Sequence, residues 1–269
     1  MNGQGRLVFA HRGSSEALPE HTLGAYLRAV DEGADGLECD VRLTRDGHLV
    51  CLHDRRLERT SNGRGVVSAH TLAELNRLDF GSWHPQWPDS ADDLILDRPG
   101  GREAHASVLT LERLLDAALG AGRPIRLLIE TKHPTRFGHA VEERLVAVLR
   151  RYGLERPGPG PVQVTVMSFS PGALRRLRQL APELPTVLLM ELLPPWLRDG
   201  RLPSGIGIAG PGVRLLRNHP RLAERLHNQG NRLYVWTVNT AADVDLVLAL
   251  GADGIISDRP RFVLDRLGR

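Results

Sequence analysis

Lysine is almost missing from this chain. Of its 35 lysine and arginine residues, Lys132 is the one lysine. Arginine carries a planar, always-charged fork, whereas lysine carries a compact ammonium on a flexible stem. The exception falls in Glu130-Thr131-Lys132, directly after the apolar run Leu127-Leu128-Ile129. That position implies a site needing a point charge beside a carboxylate at the end of a buried strand. Cysteine is scarce as well: Cys39 and Cys51 alone do not make a disulfide framework. Long apolar runs are missing too. The first, Leu7-Val8-Phe9-Ala10, is far too short for a signal segment or a membrane span and leads straight into His11. No membrane insertion and a cytoplasmic location are therefore expected. A dense basic block is also absent. Net charge is only +3, and the pI of 9.3 reflects arginine spread along the chain. This speaks against nucleic acid as the main partner. Finally, no Gly-x-Gly-x-x-Gly follows the first strand candidate, which argues against an open, doubly wound dinucleotide-binding sheet. No internal repeat appears, so residues 1–269 read as one domain.

What is present is a regular alternation. The 41% apolar content supports a sizeable core, and 269 residues is close to the size of an α/β barrel. Strand candidates are residues 7–11, 36–41, 49–53, 126–132, 162–169, 186–190, 205–209, 233–239 and 254–257. Helical spacing links Leu23, Tyr26, Leu27 and Val30 behind the cap candidate Thr22, and again Leu111, Leu114, Leu115 and Ala118 behind Thr110. Further helices fit Val141–Leu149, Pro171–Leu180 behind Ser170, Pro195–Asp199, Arg217–Gln229, Ala241–Leu250 and Pro260–Leu267.

One strand is surplus to an eight-fold alternation. Residues 36–41 and 49–53 are linked through Asp46-Gly47, a hairpin signal. So short a link cannot hold the crossover that parallel neighbours need. The 49–53 strand is therefore an antiparallel arm, and the rest make a (β/α)₈ barrel, the TIM-barrel architecture. Residues 54–107 form the longest irregular stretch. They hold a short helix candidate at 71–78 and the stiff loop Trp83-His84-Pro85-Gln86-Trp87-Pro88, and they read as a small inserted cap.

Barrel chemistry gathers at the C-terminal ends of the strands. There the chain places His11-Arg12, Glu38 and Asp40, Glu130 and Lys132, Ser168, Trp236 with Asn239, and Asp258. Glu38 and Asp40 are two apart on one strand and share a face, with Cys39 on the other. A two-residue hairpin loop at either Arg45-Asp46 or Asp46-Gly47 puts His53 on that carboxylate face; a three-residue loop would not. The same pairing puts Cys39 and Cys51 on opposite faces, with no disulfide between them. Three converging carboxylates need a cation or shared protons. Oxygen ligands suit Ca²⁺ or Mg²⁺ better than Zn²⁺. Two histidines suit a general base and a general acid, and Arg12 with Lys132 suits a phosphate. Together these are the parts of a phosphoryl-transfer site.

These residues stand in motifs that carry a resemblance. In order they are His11-Arg12-Gly13, Pro19-Glu20-His21-Thr22, Glu38-Cys39-Asp40-Val41, Asp46-Gly47, His53-Asp54, Glu130-Thr131-Lys132, Ser168-Phe169, Trp236-Thr237-Val238-Asn239, and the run from Gly251 to Pro260. The ordered set resembles the glycerophosphodiester phosphodiesterase family of barrel enzymes. The resemblance implies hydrolysis of glycerophosphodiesters to glycerol 3-phosphate and an alcohol. It implies His11 and His53 as the acid–base pair, and Glu38, Asp40 and Glu130 as ligands of one divalent cation, Ca²⁺ or Mg²⁺. Arg12 and Lys132 would contact the phosphate, Trp236 would line the substrate pocket, and the stretch after His53 would be the family's capping insertion. The chain departs from the family pattern at His21, where Asn is usual, and at Ser257, where Thr is usual. The change at His21 is expected to touch only the hydrogen bonds around Glu20.

Two rival functions share these features. One is a lysophospholipid-cleaving phosphodiesterase, which would want an apolar channel. The other is a non-catalytic barrel that binds phosphate esters, which would need no intact histidine pair. Glu20 reads as a helix-start carboxylate, and Asp253 and Asp258 as structural, with Asp258 capping the last helix.

Overall fold

Eight parallel strands close on one another in the computed structural model, which describes residues 5–85 and 106–269. They are β1 (Leu7–His11), β2 (Gly36–Leu43), β4 (Ile125–Thr131), β5 (Val162–Ser168), β6 (Thr186–Met190), β7 (Ile208–Pro211), β8 (Arg232–Val235) and β9 (Gly254–Ser257). Each pairs with its neighbour in sequence, and β1 closes the ring by pairing with both β2 and β9. The remaining strand, β3 (Leu49–Cys51), pairs antiparallel with β2 outside the ring. This is the barrel with a hairpin arm that the alternation and the short Asp-Gly link imply.

The barrel has two apolar layers. Inside the ring, Phe9, Leu128, Met167, Val187, Leu189, Ile208, Tyr234 and Ile256 pack as one buried cluster. Each such side chain contributes on the order of 1.5–3 kcal/mol by leaving water. Two strand-opening glycines make room for its aromatic rings. A Cβ on Gly36 would lie 2.6 Å from the Phe9 ring, and one on Gly254 would lie 2.7 Å from Tyr234. The second layer lies between strands and helices. Its helices are α1 (Leu23–Asp31), α3 (Leu111–Leu119), α4 (Ala140–Tyr152), α5 (Pro171–Leu180), α6 (Val213–Asn218), α7 (Arg221–Asn228), α8 (Ala241–Ala249) and α9 (Pro260–Arg266); α2 (Leu72–Leu75) belongs to the insertion. Thr22, Thr110, Ser170 and Thr240 each accept from a first-turn backbone N–H, as N-caps do. The helix expected over Arg217–Gln229 is two helices, broken at His219-Pro220. Proline has no N–H to continue the ladder, and it drives the preceding residue out of helical backbone. The helix expected at Pro195–Asp199 is a single 3₁₀ turn, Pro195–Leu197.

The hairpin corrects one expectation. Leu43 pairs with Leu49 and Val41 with Cys51, so the loop is closed by Thr44 and His48 and has three residues, Arg45-Asp46-Gly47. Gly47 takes a positive φ of 82°, and Thr44 Oγ1 donates to Asp46 Oδ1 while accepting from the N–H of His48. A turn followed by a left-handed glycine is the three-residue hairpin solution. The register therefore shifts by one from both two-residue alternatives. Cys39 and Cys51 consequently share a face, contrary to the expectation, and both are buried free cysteines in the outer layer.

The described part of the insertion has its own small core. Val50, Leu52, Leu57, Val67, Leu75, Phe80 and Val108 form a separate buried cluster against the hairpin. Thr71 and Glu74 form a reciprocal capping box at the start of α2. Trp83 donates from Nε1 to the Phe80 carbonyl at 2.9 Å. The remainder of the expected aromatic loop, Gln86-Trp87-Pro88, lies outside the described residues. Among the described residues, no helix is long and apolar enough to cross a membrane.

Candidate active site

Most of the polar residues singled out at strand ends meet at one cavity. A cavity of about 330 Å³ opens at the C-terminal end of the barrel. His11, Arg12, Glu38, His53, Glu130, Lys132 and Trp236 all line it. Asp40 sits just behind, 1% exposed. β2 supplies Glu38 and Asp40 at alternate positions, and Asp40 pairs with Glu130 across the parallel β2–β4 register. Each of the three offers a carboxylate oxygen within 4.8 Å of the others. That is a donor set for a hard divalent cation.

The electrostatics of the three differ. Burial pushes Glu38 well above the usual carboxylate range, and the Asp40 charge pushes it further. Burial, then Asp40, raises Glu130 to about 8. Burial would raise Asp40 too. The Lys132 ammonium, the His21 hydrogen bond and the Arg12 guanidinium outweigh it and hold Asp40 well below its ordinary value. Two nearby cations thus ionise one carboxylate and leave the other two favouring protons. The buried trio fits a divalent cation, whose charge would ionise all three.

Lys132 lies inside this group. Its Nζ is 2.8 Å from Glu130 Oε1 and 3.0 Å from Asp40 Oδ1. The residue is 8% exposed, so the charge at the end of β4 is buried among carboxylates. Arg12 reaches the same trio from β1. Its Nε is 3.1 Å from Asp40 Oδ2, and its backbone N–H donates to Glu38 Oε2 at 3.1 Å. Arg12 and His21 both hold positive φ, 59° and 61°. Such backbone is uncommon away from glycine and clusters at functional sites.

The two histidines each carry a partner carboxylate. His11 Nδ1 lies 2.6 Å from Asp258 Oδ1, while its Nε2 faces Glu38 Oε2 at 4.0 Å. His53 Nδ1 lies 2.7 Å from Asp54 Oδ1. Burial first, then Arg12 and Lys132, push the His53 imidazole down to about 4, against the opposing pull of Asp40 and Asp54. It is therefore neutral at neutral pH. His53 reaches the cavity by a different route from the one expected. In the observed register, continued alternation would point it away from the carboxylates. But β3 ends at Cys51, and both Nε and NH2 of Arg42 on β2 donate to the His53 carbonyl, at 2.9 and 2.6 Å. The chain leaves the ladder before alternation can carry His53 outward.

Three further residues matter more than their sequence reading implied. Asp258 does not cap the last helix; its carboxylate turns to His11 and accepts from Ser15 Oγ at 3.0 Å and Asn239 Nδ2 at 2.6 Å. Burial opposes its charge, but the His11 hydrogen bond and charge bring it down to about 2. Glu20 is not merely a helix-start carboxylate, since Arg12 and Arg59 both hold it. His21 reaches beyond Glu20: its Nε2 is 3.0 Å from Asp40 Oδ2 and its Nδ1 2.8 Å from Tyr26 Oη. Burial lowers its pKa and favours the neutral ring. A neutral ring facing a carboxylate donates from Nε2. The signal for Asp258 was its place at a barrel strand end; the reach of His21 across 19 positions to Asp40 has no local signal.

Trp236 forms one wall of the cavity, its Nε1 donating to the Gly210 carbonyl at 2.7 Å and its ring meeting Phe169 edge-on at 5.5 Å. Ser168, also at a strand end, donates instead to the Thr131 carbonyl and is fully buried. It ties β5 to β4 and does not face the cavity.

Comparison with known proteins gives one answer. Residues 11–262 match the model of the glycerophosphoryl diester phosphodiesterase family. A Mycobacterium tuberculosis protein named "Probable glycerophosphodiester phosphodiesterase 1" is 46% identical over 255 residues, covering 94% of this chain and 89% of that one. A Bacillus subtilis glycerophosphodiester phosphodiesterase is 36% identical, with 94% and 84% covered. The fold is shared with an Oleispira antarctica phosphodiesterase solved with its product sn-glycerol-3-phosphate, at a TM-score of 0.78 and 23% identity, covering 98% and 97%. It is shared also with a glycerophosphodiester phosphodiesterase from Parabacteroides distasonis, at a TM-score of 0.76 and 24% identity, covering 97% and 96%.

Proposed function

The chain belongs to the glycerophosphoryl diester phosphodiesterase family, and we propose that it hydrolyses glycerophosphodiesters to glycerol 3-phosphate and an alcohol. One observation carries this reading. A single cavity holds two histidines, two cations and the carboxylates Glu38 and Glu130, with Asp40 directly behind. The reading takes residues 1–269 as one catalytic domain with an insertion at about 54–107.

Glu38, Asp40 and Glu130 would hold one Ca²⁺ or Mg²⁺. When bound, that cation would polarise the phosphoryl oxygens and spread the charge that develops on them. Arg12 and Lys132 supply further positive charge for the phosphate. Trp236, with Phe169 against it, gives the glycerol moiety an apolar wall. His53, neutral and held through Nδ1 by Asp54, takes the proton of the attacking oxygen at Nε2. His11, set between Asp258 and Glu38, gives a proton to the leaving alkoxide. The attacking oxygen belongs to water, which gives glycerol 3-phosphate directly, or to the neighbouring hydroxyl of the glycerol, which gives a cyclic phosphate that water then opens, the two histidines exchanging acid and base roles in that second step. General acid–base catalysis of this kind contributes about 10²–10⁴-fold. Replacing either His11 or His53 by Ala should then cost at least about two orders of magnitude in turnover.

The test is a substrate panel with and without Ca²⁺, Mg²⁺ and Mn²⁺, read as glycerol 3-phosphate released. Glycerophosphocholine should be cleaved and lysophosphatidylcholine should not. Full activity after exhaustive EDTA treatment would remove the cation from the reading. Preference for the lysophospholipid would move the chain to the rival class.

A further inference from the structure

We infer that Arg59, which lines neither the cavity nor the carboxylate trio, is a positioning residue that holds the His53 arm and Arg12 in one frame. The inference rests on the roles of His53 and Arg12 proposed above. Arg59 stands in the insertion, 39 positions after Glu20, and all three of its donor nitrogens are engaged. Nε donates to Asp54 Oδ2 at 2.6 Å. NH1 donates to Glu20 Oε2 at 2.7 Å and NH2 to Glu20 Oε1 at 2.8 Å. One oxygen of Asp54 and both oxygens of Glu20 are thus fixed by one guanidinium.

What those carboxylates do next gives Arg59 its role. Asp54 turns its other oxygen to His53 Nδ1 at 2.7 Å. Glu20 passes Oε1 to Arg12 NH1 at 3.1 Å, and Arg12 stands 3.1 Å from Asp40. A continuous chain of polar contacts runs His53–Asp54–Arg59–Glu20–Arg12–Asp40. It joins three loops: the one after β1, the hairpin end, and the insertion. Without Arg59, nothing anchors the outer oxygen of Asp54, the carboxylate can swing off the ring, and the ring then loses its fixed tautomer. Glu20 keeps only Arg12, and the guanidinium facing the phosphate loses its fixed backing. A bidentate fork with a third donor at a set angle does this; an ammonium cannot hold both carboxylates in the same geometry. Glu20 is nearly buried, with a side chain 11% exposed, whereas Arg59 is 43% exposed. The clamp therefore closes over the site from the solvent side.

The test splits the two arms. Asp54→Asn should lower kcat about tenfold or more with KM near wild type. Glu20→Gln should raise KM several-fold with kcat near wild type. Arg59→Ala should do both, and Arg59→Lys should do nearly as badly although it keeps the charge. The double variant Arg59→Ala/Asp54→Asn should have a kcat no lower than Arg59→Ala alone. Guanidinium ion should restore part of the kcat of Arg59→Ala but not of Arg59→Lys. A second readout needs no activity. Nitrogen-15 spectra of the histidine rings should show His53 as the Nδ1–H tautomer in the wild type and as a mixture in Arg59→Lys. Additive double variants, or Arg59→Ala within twofold of wild type in both constants, would overturn the inference. So would an unchanged His53 spectrum. Should Arg59→Ala not fold, Arg59→Lys carries the same tests. A wild type inactive on every glycerophosphodiester would sink the proposed function, yet it would leave the ring spectra to be read.

Discussion

Asp258 and His11 are 247 positions apart and form a hydrogen bond of 2.6 Å across the seam where the barrel closes. β9 and β1 pair in parallel, with Ala10 opposite Ser257, so His11 at the end of β1 and Asp258 just after β9 stand side by side at the C-terminal end of the barrel. Asp258 is itself pinned: Ser15 and Asn239 side chains donate to it, and its own N–H donates to Asn239 Oδ1 at 3.0 Å. The carboxylate can only accept, so it fixes the proton on His11 Nδ1 and leaves Nε2 facing Glu38. Outer partners of this kind orient a ring and tune its basicity.

Asp258→Asn keeps the shape and loses the charge. An amide can turn its donor end toward His11 Nδ1 and select the wrong tautomer. The expected loss in kcat/KM is about 10²–10³-fold, within the range assigned to general acid–base catalysis. The melting temperature should move by only a few degrees. A variant within threefold of wild type would show that the His11 ring is set by something else.

Acid stability gives a second prediction, through Glu20. Burial would raise its pKa, but hydrogen bonds from Arg59 and the charge of Arg12 bring it down to about 2. In the unfolded chain a glutamate titrates near 4.3. A folded pKa below the unfolded one means that the stabilisation is fully present above about pH 4 and is lost as pH falls through about 2. Its size is roughly 1–3 kcal/mol. Urea unfolding at stepped pH should show Glu20→Gln less stable than wild type at neutral pH, with the two curves converging near pH 2. A constant gap down to that pH would show that Glu20 contributes no such charge interaction.

Cation binding should release protons. Glu130 is pushed up to about 8, and Glu38 lies well above the carboxylate range. At neutral pH Glu130 therefore favours the protonated form, and a divalent cation must displace that proton to use its oxygens. Apparent affinity for Ca²⁺ or Mg²⁺ should therefore rise with pH between about 6 and 8. Calorimetry at pH 7 in two buffers of different ionisation enthalpy should report about one proton released per ion. Heats independent of buffer would mean that the trio is already ionised or does not bind the ion.

The sequence showed more of the site than of its reasons. Strand ends were legible because an apolar run closing on a charged residue is costly unless the charge is used. That logic found His11, Glu38, Asp40, Glu130 and Lys132, and they share one site. The hairpin was legible in kind but not in register. Asp46-Gly47 marks a turn, yet one residue more in the loop reverses every side-chain face. His53 faces the site because the strand stops early and Arg42 seizes its carbonyl, a tertiary contact with no trace in local spacing. Glu20, His21 and Asp258 were undervalued, and Arg59 passed over, for the same reason. Each acts through a partner between 19 and 247 positions away.

Lys132 gives the last prediction, because its replacement isolates shape from charge. The ammonium touches Glu130 and Asp40 at 2.8 and 3.0 Å and is nearly buried between β2 and β4. Arginine would bring a bulkier head group, a rigid planar fork, into a space that holds one compact donor. Overpacking of that kind costs typically about 1–3 kcal/mol. It would also push the fork outward into the volume assigned to the phosphate. Lys132→Arg should therefore keep the net charge and still lose at least about tenfold in kcat/KM, most of it in KM. Lys132→Met, which keeps the stem and deletes the charge, should lose more and shift the Asp40 ionisation upward. If Lys132→Arg instead works at the wild-type rate, the site needs only a positive charge there, and the solitary lysine in a chain of arginines is an accident of drift.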